Sequence, residues 1–493
     1  MKIGLRHHMG AIAVLEIEGA LTQTGRLVEM RRICETQVSN GFKALLIDMS
    51  KCHRANMSGL ASLVELSATV TSKPLAFCGF RPAVLRRLQA TGVDRGLNIY
   101  RDADEALSSE EFKRASLRHA TAVILCNEGQ GKSCPISDEI SNPMSDVLGQ
   151  PLLERTVRYL NSFGIKEIHV NPSRNGDRIV SHFQDAKWLM RPVRFLNEAY
   201  SSDLVGQNAP YGTAHSLKKM QKNLSAFYDD FFVLNGTSLT NVDLLEMMLS
   251  HKKSGADVTI AVKERGNSEE DSLLVSEPKT SRQNIADYES LGRPIRYLKH
   301  FDSAAYVFSP KVLKEIEHGQ HVDIIEDLLP ELSRQGRPIH YYQSTFSDFD
   351  LRSLQVYVQL LKEGVLGRVP NLKIPARREG THWISDRAEI AQSARVKGQS
   401  YIAPDAEIGA KVELRGTCVI GAGAKISGPS ILEDCLVMEG TRIAPGFWGQ
   451  HLILHNDWII DHRFLDANGQ QNTPDLHSVP NSDVSPFPIR QSA

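Results

Sequence analysis

A six-residue spacing of aliphatic residues limits what the C-terminal third of this chain can fold into. The spacing runs through nine consecutive positions: Ile384, Ile390, Val396, Ile402, Ile408, Leu414, Ile420, Ile426 and Leu432. A mostly small residue stands four places after each of the first eight, from Ala388 to Ser430. An α-helix has 3.6 residues per turn and would spread this period around its circumference. The spacing instead predicts a three-sided β-helix, with one aliphatic side chain inside per face and small residues at the corners.

Three composition regimes divide the 493 residues. Residues 1–113 alternate strand-like and helix-like segments. Residues 119–367 open with the apolar run Thr121–Cys126 and alternate in the same way, which predicts an open Rossmann-like parallel sheet. Such sheets bind ligands beyond the carboxyl ends of their strands. Residues 380–462 are expected to form a left-handed β-helix of hexapeptide repeats, and the polar segment 463–493 a flexible tail. The fold class is therefore multidomain α/β with a C-terminal β-helix.

Composition limits which classes of binding partner and which cellular compartment are expected. The net charge of −1 gives no bulk field that would favour nucleic acid or an anionic membrane. No apolar stretch approaches the roughly 18 residues of a membrane span, and no signal peptide is visible. The seven cysteines are scattered and odd in number, as in a reducing compartment. We expect a cytoplasmic protein without a membrane span, and a homo-oligomer because β-helices of this kind often drive assembly.

The N-terminal module resembles the STAS domain, the fold of bacterial anti-sigma-factor antagonists. The resemblance covers residues 11–107 and rests on five segments in order: Val14–Leu21, Leu45–Ser50, Asn56–Leu60, Gly79–Pro82 and Ile99-Tyr100. It implies a module that docks onto a partner protein.

The switch position of that family is altered in this sequence. Family members carry an Asp-Ser-Ser-Gly-like turn whose first serine is phosphorylated. Here Asn56 stands at the Asp position, Met57 at the phosphorylated serine and Ser58 at the second serine. We expect Ser58 to cap a helix that begins at Gly59, with a phosphosite at Ser58 as the alternative. A phospho-switch of the usual kind is not expected.

The middle module is similar to the sugar-1-phosphate nucleotidyltransferases, including mannose-1-phosphate guanylyltransferases. The similarity spans Thr121–Val365 and rests on six segments: Gly149–Thr156, Gly164–Asn171, Gly212–Ala214, Leu234–Gly236, Tyr306–Pro310, and Ser347–Ser353 with Tyr357. Several members of that family also carry a β-helix tail. The resemblance implies a nucleotide or nucleotide-sugar ligand, with Gly212, Thr213 and Ala214 forming the turn that contacts the nucleobase.

The glycine-rich phosphate loop of that family departs from its pattern here. Members read Ala-Ala-Gly-x-Gly-Thr-Arg-Leu, whereas this chain reads Cys126-Asn-Glu-Gly-Gln-Gly-Lys-Ser-Cys134. The resemblance places Asn127, Gly129 and Gly131 at the nucleotide. Lys132 takes the Arg position in one alignment and is the candidate catalytic cation.

Two further charged positions of the family are neutral in this chain. The phosphate-binding Lys of Pro-Lys-Pro is replaced by Asn142, and the Mg²⁺-binding Asp of Asn-Gly-Asp is replaced by Thr237. A neutral hydroxyl is a poor ligand for a hard dication, so Mg²⁺ is expected only if the protein is active. No other set of residues predicts a metal site, and Asp229 and Asp230 stand at the wrong end of their strand to substitute.

These patterns leave three hypotheses open. The favoured one is a catalytically degenerate member of the family, serving nucleotide-sugar or surface-polysaccharide metabolism in a regulatory or scaffolding role through its STAS domain. The alternatives are an active NTP:sugar-1-phosphate nucleotidyltransferase that releases pyrophosphate, and a purely structural oligomerisation protein.

Overall fold

The computed structural model describes most of the chain outside a few loops and the C-terminal segment. The described residues are 2–9, 11–22, 24–70, 73–126, 143–172, 176–184, 186–189, 192–196, 212–263, 305–316 and 322–464. The predicted sites Asn127, Gly129, Gly131, Lys132 and Asn142 lie outside them, as does most of the predicted tail.

The N-terminal sheet has strand order β1-β2-β3-β5-β6, with β4 paired to β2. Its strands are β1 (Lys2–His8), β2 (Ile12–Leu21), β3 (Ala44–Asp48), β4 (Cys52–Ala55), β5 (Leu75–Cys78) and β6 (Ile99–Tyr100). Its helices are α1 (Thr24–Ser39), α2 (Met57–Thr69), α3 (Pro82–Thr91), α4 (Ala103–Ser108) and α5 (Glu110–Ser116). Only β1 pairs antiparallel within this sheet. Both faces are covered, because alternate residues of β3 enter different cores.

The charge-rich segment after β6 is divided into two short helices. It forms α4 and α5, which are separated at Ser109, where ψ is 151° and the backbone is extended. Phe112 of α5 is fully buried against the sheet. The break lets α5 turn from the first domain towards the second.

The second sheet has the order β14-β12-β13-β10-β7-β8-β9. Its strands are β7 (Thr121–Leu125), β8 (Glu167–Asn171), β9 (Arg194–Phe195), β10 (Phe231–Asn235), β12 (Val258–Lys263), β13 (Ala305–Phe308) and β14 (Ile339–Ser344). All pairs are parallel except those of β13 with β10 and β12. A small ribbon, β11 (Ser238–Thr240) with β15 (Asp348–Asp350), lies beside it.

Helices cover both faces of this sheet. They are α6 (Leu152–Ser162), α7 (Gly176–Gln184), α8 (Thr213–Leu224), α9 (Leu244–Ser254) and α10 (Leu329–Arg334), with short helical turns at Pro310–Lys314 and Ile324–Leu328. Two apolar cores follow, one on each face. The sheet confirms the predicted open α/β arrangement, and its parallel strands β7, β8 and β10 end at one common edge.

The C-terminal repeats form three stacks of parallel strands, which confirms the predicted β-helix. The strands are β16 (Arg377–Glu379), β17 (His382–Ile384), β18 (Glu389–Ile390), β19 (Arg395–Val396), β20 (Gln399–Ile402), β21 (Glu407–Ile408), β22 (Glu413–Arg415), β23 (Thr417–Ile420), β24 (Lys425–Ile426), β25 (Ile431–Glu433), β26 (Leu436–Val437), β27 (Arg442–Ile443), β28 (Trp448–Gln450), β29 (Leu452–Leu454) and β30 (Ile459–Asp461), followed by a turn at His462–Phe464. The chain visits the stacks in turn, so Ile384 pairs with Ile402 and Ile402 with Ile420, three six-residue repeats apart. Antiparallel pairs β16–β17 and β29–β30 close the ends of the first stack.

Helix α11 (Leu354–Val365) joins the β-helix to the second domain. It packs on the outer side of the first stack, where Tyr401 is buried, and the Trp383 indole nitrogen donates to Val365 O at 3.1 Å. The second domain thus covers one face of the β-helix. Across the described part of the chain, every helix is too short or too polar to cross a membrane.

Candidate functional site

The carboxyl edge of the second sheet gathers polar groups from several elements. Asn171, at the end of β8, donates through its side chain to Ser216 Oγ of α8 at 2.9 Å, and Ser216 Oγ contacts Gly212 O at 3.3 Å. Gly236 N, just after β10, donates to Leu125 O of β7 at 2.8 Å. The edge therefore unites the Gly-Thr-Ala turn and the Asn-Gly-Thr turn that the sequence singled out.

The turn at Thr237 is tight and uncharged. A Cβ at Gly236 would lie 2.7 Å from Cys126 Sγ, so the close approach of β10 to β7 requires glycine. Thr237 is fully buried, and both its backbone N–H and its hydroxyl donate to Asn235 Oδ1, at 3.0 and 2.8 Å. Asn235 thereby holds the hydroxyl within the turn.

A carboxylate next to Thr237 is already neutralised. Asp350 Oδ1 lies 3.4 Å from Thr237 Oγ1. Arg352 Nε donates to both carboxylate oxygens of Asp350, at 3.0 and 2.8 Å, and its backbone N–H adds a bond of 3.0 Å. A forked guanidinium–carboxylate pair of this kind is a strong charge-assisted contact. A dication at this point would have to displace Arg352.

The carboxylates before β10 serve another purpose. Asp230 lies 3.5 Å from His251 Nε2 and 3.4 Å from Lys252 Nζ, at the end of β10 away from Thr237. No cluster of three or more His, Cys, Asp or Glu side chains with metal-binding geometry occurs among the described residues. As they stand, the described groups around Thr237 do not fit a Mg²⁺ site.

The start of α8 is covered by a neighbouring segment. Ala214 N and His215 N both donate to Val322 O, at 3.0 and 3.2 Å. A Cβ at Gly212 would lie 2.2 Å from the same oxygen, so glycine is needed for this contact. Two of the amides that would otherwise be open to a ligand at this helix N-terminus are thus bonded within the protein.

Thr213 strengthens the same closure. Its hydroxyl donates to Asp323 Oδ2 at 2.7 Å and accepts from Ile324 N at 2.8 Å. Asp323 in turn caps the helical turn Ile324–Leu328. The contact of Gly212, Thr213 and Ala214 with a nucleobase stays a prediction, and it requires groups other than these bonded ones.

The altered STAS position is an exposed helix start. Asn56 is the N-cap of α2, with Oδ1 accepting from Gly59 N at 2.8 Å, so the expectation that Ser58 caps a helix from Gly59 is wrong. The helix begins at Met57, two residues earlier, because an amide oxygen reaches the third N–H as well as a serine does. Met57 is 57% exposed and Ser58 is exposed in the first turn, so both are accessible.

A direct contact joins the first domain to the second near the site. Lys113 of α5 lies 2.7 Å from Asp243 Oδ2, while Asp243 Oδ1 caps α9. Met9, in the β1–β2 turn, packs against the core of the second sheet. Since β11 and a short link connect Thr237 to Asp243, α5 touches the element that leaves the candidate site.

A second contact between domains lies where α11 and the β-helix pack against the segment 143–149. Tyr357 of α11 donates through its hydroxyl to Asp146 O at 2.8 Å, and a Cβ at Gly149 would lie 2.4 Å from the Tyr401 hydroxyl oxygen. Burial raises the pKa of Asp146, while burial lowers the pKa of Arg155 to about 10. Arg155 donates to the carbonyls of Val147, Leu148 and Lys373, which offset the cost of burying it.

Sequence reasoning missed three of these contacts. The pairing of Asp350 with Arg352 had a signal, since the two residues stand two apart in a segment already singled out. The contacts of Val322 and Lys113 had none, because their partners lie about a hundred or more residues away in the chain.

Comparisons with known proteins assign families to the first two domains. Residues 6–106 match the STAS domain model and residues 122–359 match the nucleotidyl transferase model. A UTP–glucose-1-phosphate uridylyltransferase from Synechocystis sp. is 28% identical over 49% of this chain and 62% of its own length. A mannose-1-phosphate guanylyltransferase from Mycobacterium tuberculosis is 22% identical over 66% of this chain and 81% of its own length.

A solved structure aligns with half of the chain. The crystal structure of HddC from Yersinia pseudotuberculosis complexed with GMP-PN covers 50% of this chain and 99% of that protein, at 18% identity and a TM-score of 0.37. A TM-score of this size adds no support beyond the family match. The family assignment rests on the two models and the relatives: this chain carries a STAS domain followed by a domain of the nucleotidyl transferase family and a C-terminal β-helix.

Proposed function

We propose that this protein binds a nucleotide or nucleotide sugar at the carboxyl edge of its second sheet and turns it over slowly or not at all. Its STAS domain would pass the occupancy of that site to a partner protein, in nucleotide-sugar or surface-polysaccharide metabolism. The observation that carries the proposal is the pairing of Asp350 with Arg352 beside the neutral Thr237.

The chemistry of nucleotidyl transfer explains why the pairing of Asp350 with Arg352 should lower turnover. A sugar phosphate attacks the α-phosphorus of an NTP and pyrophosphate leaves, so negative charge must be neutralised around the phosphates. Thr237 offers a hydroxyl that already donates to Asn235, and Asp350 is engaged by Arg352. Loss of one well-placed electrostatic group typically lowers turnover about a hundredfold to a thousandfold. Thr237 and the engaged Asp350 represent two such losses, so little activity is expected to remain.

The carboxyl edge of the second sheet can still contact the uncharged parts of a ligand. Asn235 lies partly exposed where β10 ends, and ligands of open α/β sheets bind at such strand ends, whereas Asn171 and Ser216 are fully buried and bonded to each other. The relatives' names specify UTP with glucose 1-phosphate and mannose 1-phosphate with a guanylyl group. These compounds define the ligands to try first.

The contact between α5 and Asp243 supports the proposed communication with the STAS domain. Lys113 holds the carboxylate that caps α9, and α9 follows the Thr237 turn through β11. A ligand that moves the Thr237 turn would therefore change the strength of a contact made by the first domain. The exposed start of α2 at Met57 and Ser58 is the proposed surface for the partner.

The test is pyrophosphate release by the full-length protein with Mg²⁺, UTP, GTP or CTP, and glucose 1-phosphate or mannose 1-phosphate. We expect no release above the protein-free blank, together with a saturable rise in melting temperature with UDP-glucose or GDP-mannose. Clear turnover by the natural sequence would overturn the degenerate interpretation. Absence of any thermal shift would instead favour the purely structural protein.

A double variant tests the proposed cause. Thr237→Asp with Arg352→Gly places one carboxylate in the turn and frees another, and we expect it to gain Mg²⁺-dependent pyrophosphate release. The matched control, Thr237→Asn with Arg352→Gly, adds no charge and should stay inactive. If neither variant gains release, these two positions do not limit turnover; if both gain it equally, Arg352 limits turnover and Thr237 does not.

The second candidate function is an active nucleotidyltransferase, favoured by the family match over residues 122–359. In that case Lys132 replaces the family's Arg, and Mg²⁺ is held by other carboxylates. Release by the natural protein that falls at least about tenfold in Lys132→Ala would support it.

A further inference from the structure

The second face of the β-helix carries one column of outward charges. Strands β18, β21, β24 and β27 place Glu389, Glu407, Lys425 and Arg442 in direct register, each followed by an inward isoleucine. Neighbouring coils of a parallel stack lie about 4.8 Å apart, so the column is roughly 14 Å long. It begins with two acids and ends with two bases.

The rest of this face is flat. The residue after each inward isoleucine is small: Ala391, Gly409, Ser427 and Ala444. At the corner before each strand, Arg387 and Asp405 neutralise each other at 2.7 Å, and the next two corners carry Gly423 and Gly440. A surface with one row of long side chains between small ones can approach another flat surface closely.

The two ends of the column are not neutralised within the described chain. Lys425 pairs with Glu407, its neighbour in the stack. Neither Glu389 nor Arg442 makes an ion pair with any described residue, and both are exposed. A shallow depression of about 240 Å³ lies at the basic end, lined by Lys425, Ser427, Arg442, Ile443, Ala444 and Pro445.

We propose that this face binds the same face of a second copy, with the two β-helices antiparallel. A two-fold axis along the strand direction, between β21 and β24, sets Glu389 of one copy opposite Arg442 of the other and Glu407 opposite Lys425. The same operation sets Arg387 opposite Gly440 and Asp405 opposite Gly423, so the longer corner side chains meet glycines. The interface is isologous, because every contact occurs twice.

The charge order excludes the parallel alternative. A two-fold axis along the β-helix would set Glu389 against Glu389 and Arg442 against Arg442, and like charges across an interface are repulsive. The face is smaller than the roughly 800 Å² per partner of a stable interface. The dimer is therefore concentration-dependent and weakens with salt, because exposed charge pairs are screened.

Sedimentation velocity of the full-length protein over a concentration series tests the proposal, at about 50 mM and about 500 mM NaCl. We expect a monomer–dimer equilibrium that shifts to monomer at the higher salt. The variants Glu389→Lys with Glu407→Lys, and Lys425→Glu with Arg442→Glu, should each weaken the dimer at least about tenfold. Mixing these two variants should restore dimers, as should combining all four substitutions in one chain.

Two controls separate the proposal from general effects of charge and stability. Glu65→Lys with Glu110→Lys changes the net charge equally on exposed residues of the first domain and should leave the dimer unchanged. Melting temperatures of all variants exclude unfolding as the cause. A protein that stays monomeric at low salt, forms trimers, or dimerises regardless of the reversals would overturn the proposal.

Discussion

Two helices begin at positions that the family resemblances singled out, and their first turns are satisfied in opposite ways. Helix α2 is capped by its own Asn56, whose side chain bonds Gly59 N within the same turn. Helix α8 starts at Thr213, and its first amides are bonded by Val322, more than a hundred residues away. The first start is capped within its own turn and leaves Met57 and Ser58 exposed, although Asn56 also bonds Leu21 O and Thr22 O, each at 3.3 Å. The second start is capped by a segment distant in the chain and is mostly buried.

The difference shows which helix start is accessible without a conformational change. Met57 and Ser58 need no rearrangement to be contacted, because both residues are exposed. A ligand that uses the α8 amides must first displace Val322 and break the Thr213–Asp323 bond. We therefore expect protein docking at α2 to be fast and nucleotide contact at α8 to require a local opening.

The largest expected effect comes from the glycines that let each helix start approach its neighbour. A Cβ at Gly59 would lie 2.1 Å from Leu21 O, and one at Gly212 would lie 2.2 Å from Val322 O. We expect Gly59→Ala and Gly212→Ala each to lower the free energy of unfolding by about 2–3 kcal/mol. Hydrogen exchange should report the loss in residues 57–69 for the first variant and 213–224 for the second.

The controls for this pair are glycines with room for a methyl group. Gly96→Ala in the first domain and Gly176→Ala in the second meet only atoms at 3.9 Å and 3.5 Å or more. Both should unfold within about 0.5 kcal/mol of the natural protein. If Gly212→Ala behaves like Gly176→Ala, the α8 start is not closed by Val322 in solution.

Lowering the pH should also affect the starts of α8 and α2 differently. His169 lies buried in β8, the strand that bonds α8 through Asn171, and its Nδ1 has no hydrogen-bond partner in the described structure. Burial, with a smaller contribution from Arg194, lowers the pKa of His169 to about 4. The unfolded chain, with a histidine pKa of about 6.5, therefore binds more protons between these values.

The free energy of unfolding should consequently fall as the pH is lowered, by about 2 kcal/mol from pH 7 to about pH 5. The protection factors of residues 213–224, each corrected for the intrinsic exchange rate at that pH, should fall over this range, more than those of residues 57–69. His169→Leu should flatten the pH dependence, whereas His53→Leu, at an exposed position in β4, should not. An unchanged slope in His169→Leu would assign the acid sensitivity to other groups.

The sequence predicted those features that depend on neighbours in the chain. Ile402, Ile420 and Leu432 are buried inside the β-helix as expected, because a six-residue period is a local property. The shortening of the repeat after Leu432, where Ile420 pairs with Val437 instead of residue 438, lies just past the last position of the strict spacing.

The features that the sequence could not reveal are tertiary. The closure of Gly212 by Val322 and the burial of Tyr401 under α11 join segments whose spacing carries no periodic signal. The candidate site shows the same division. Thr237 could be recognised as neutral from its motif, and the spacing of Asp350 and Arg352 gave a signal for their pairing. That this pair lies beside Thr237 could be learned only from side-chain positions.

The smallest expected effect, and the sharpest test of the local character of α2, is the loss of its cap. Asn56→Ala removes the bond to Gly59 N and should lower the free energy of unfolding by about 1 kcal/mol. Asn56→Asp keeps an acceptor and adds a negative charge beside the helix N-terminus, but it loses the 3.3 Å bond from Asn56 Nδ2 to Thr22 O, so its effect should be smaller than that of Asn56→Ala. Urea unfolding of both variants, followed by exchange in residues 57–69, measures the difference. If Asn56→Ala costs nothing, or if exchange in residues 213–224 changes equally, the two helix starts are not independent and the contrast between them fails.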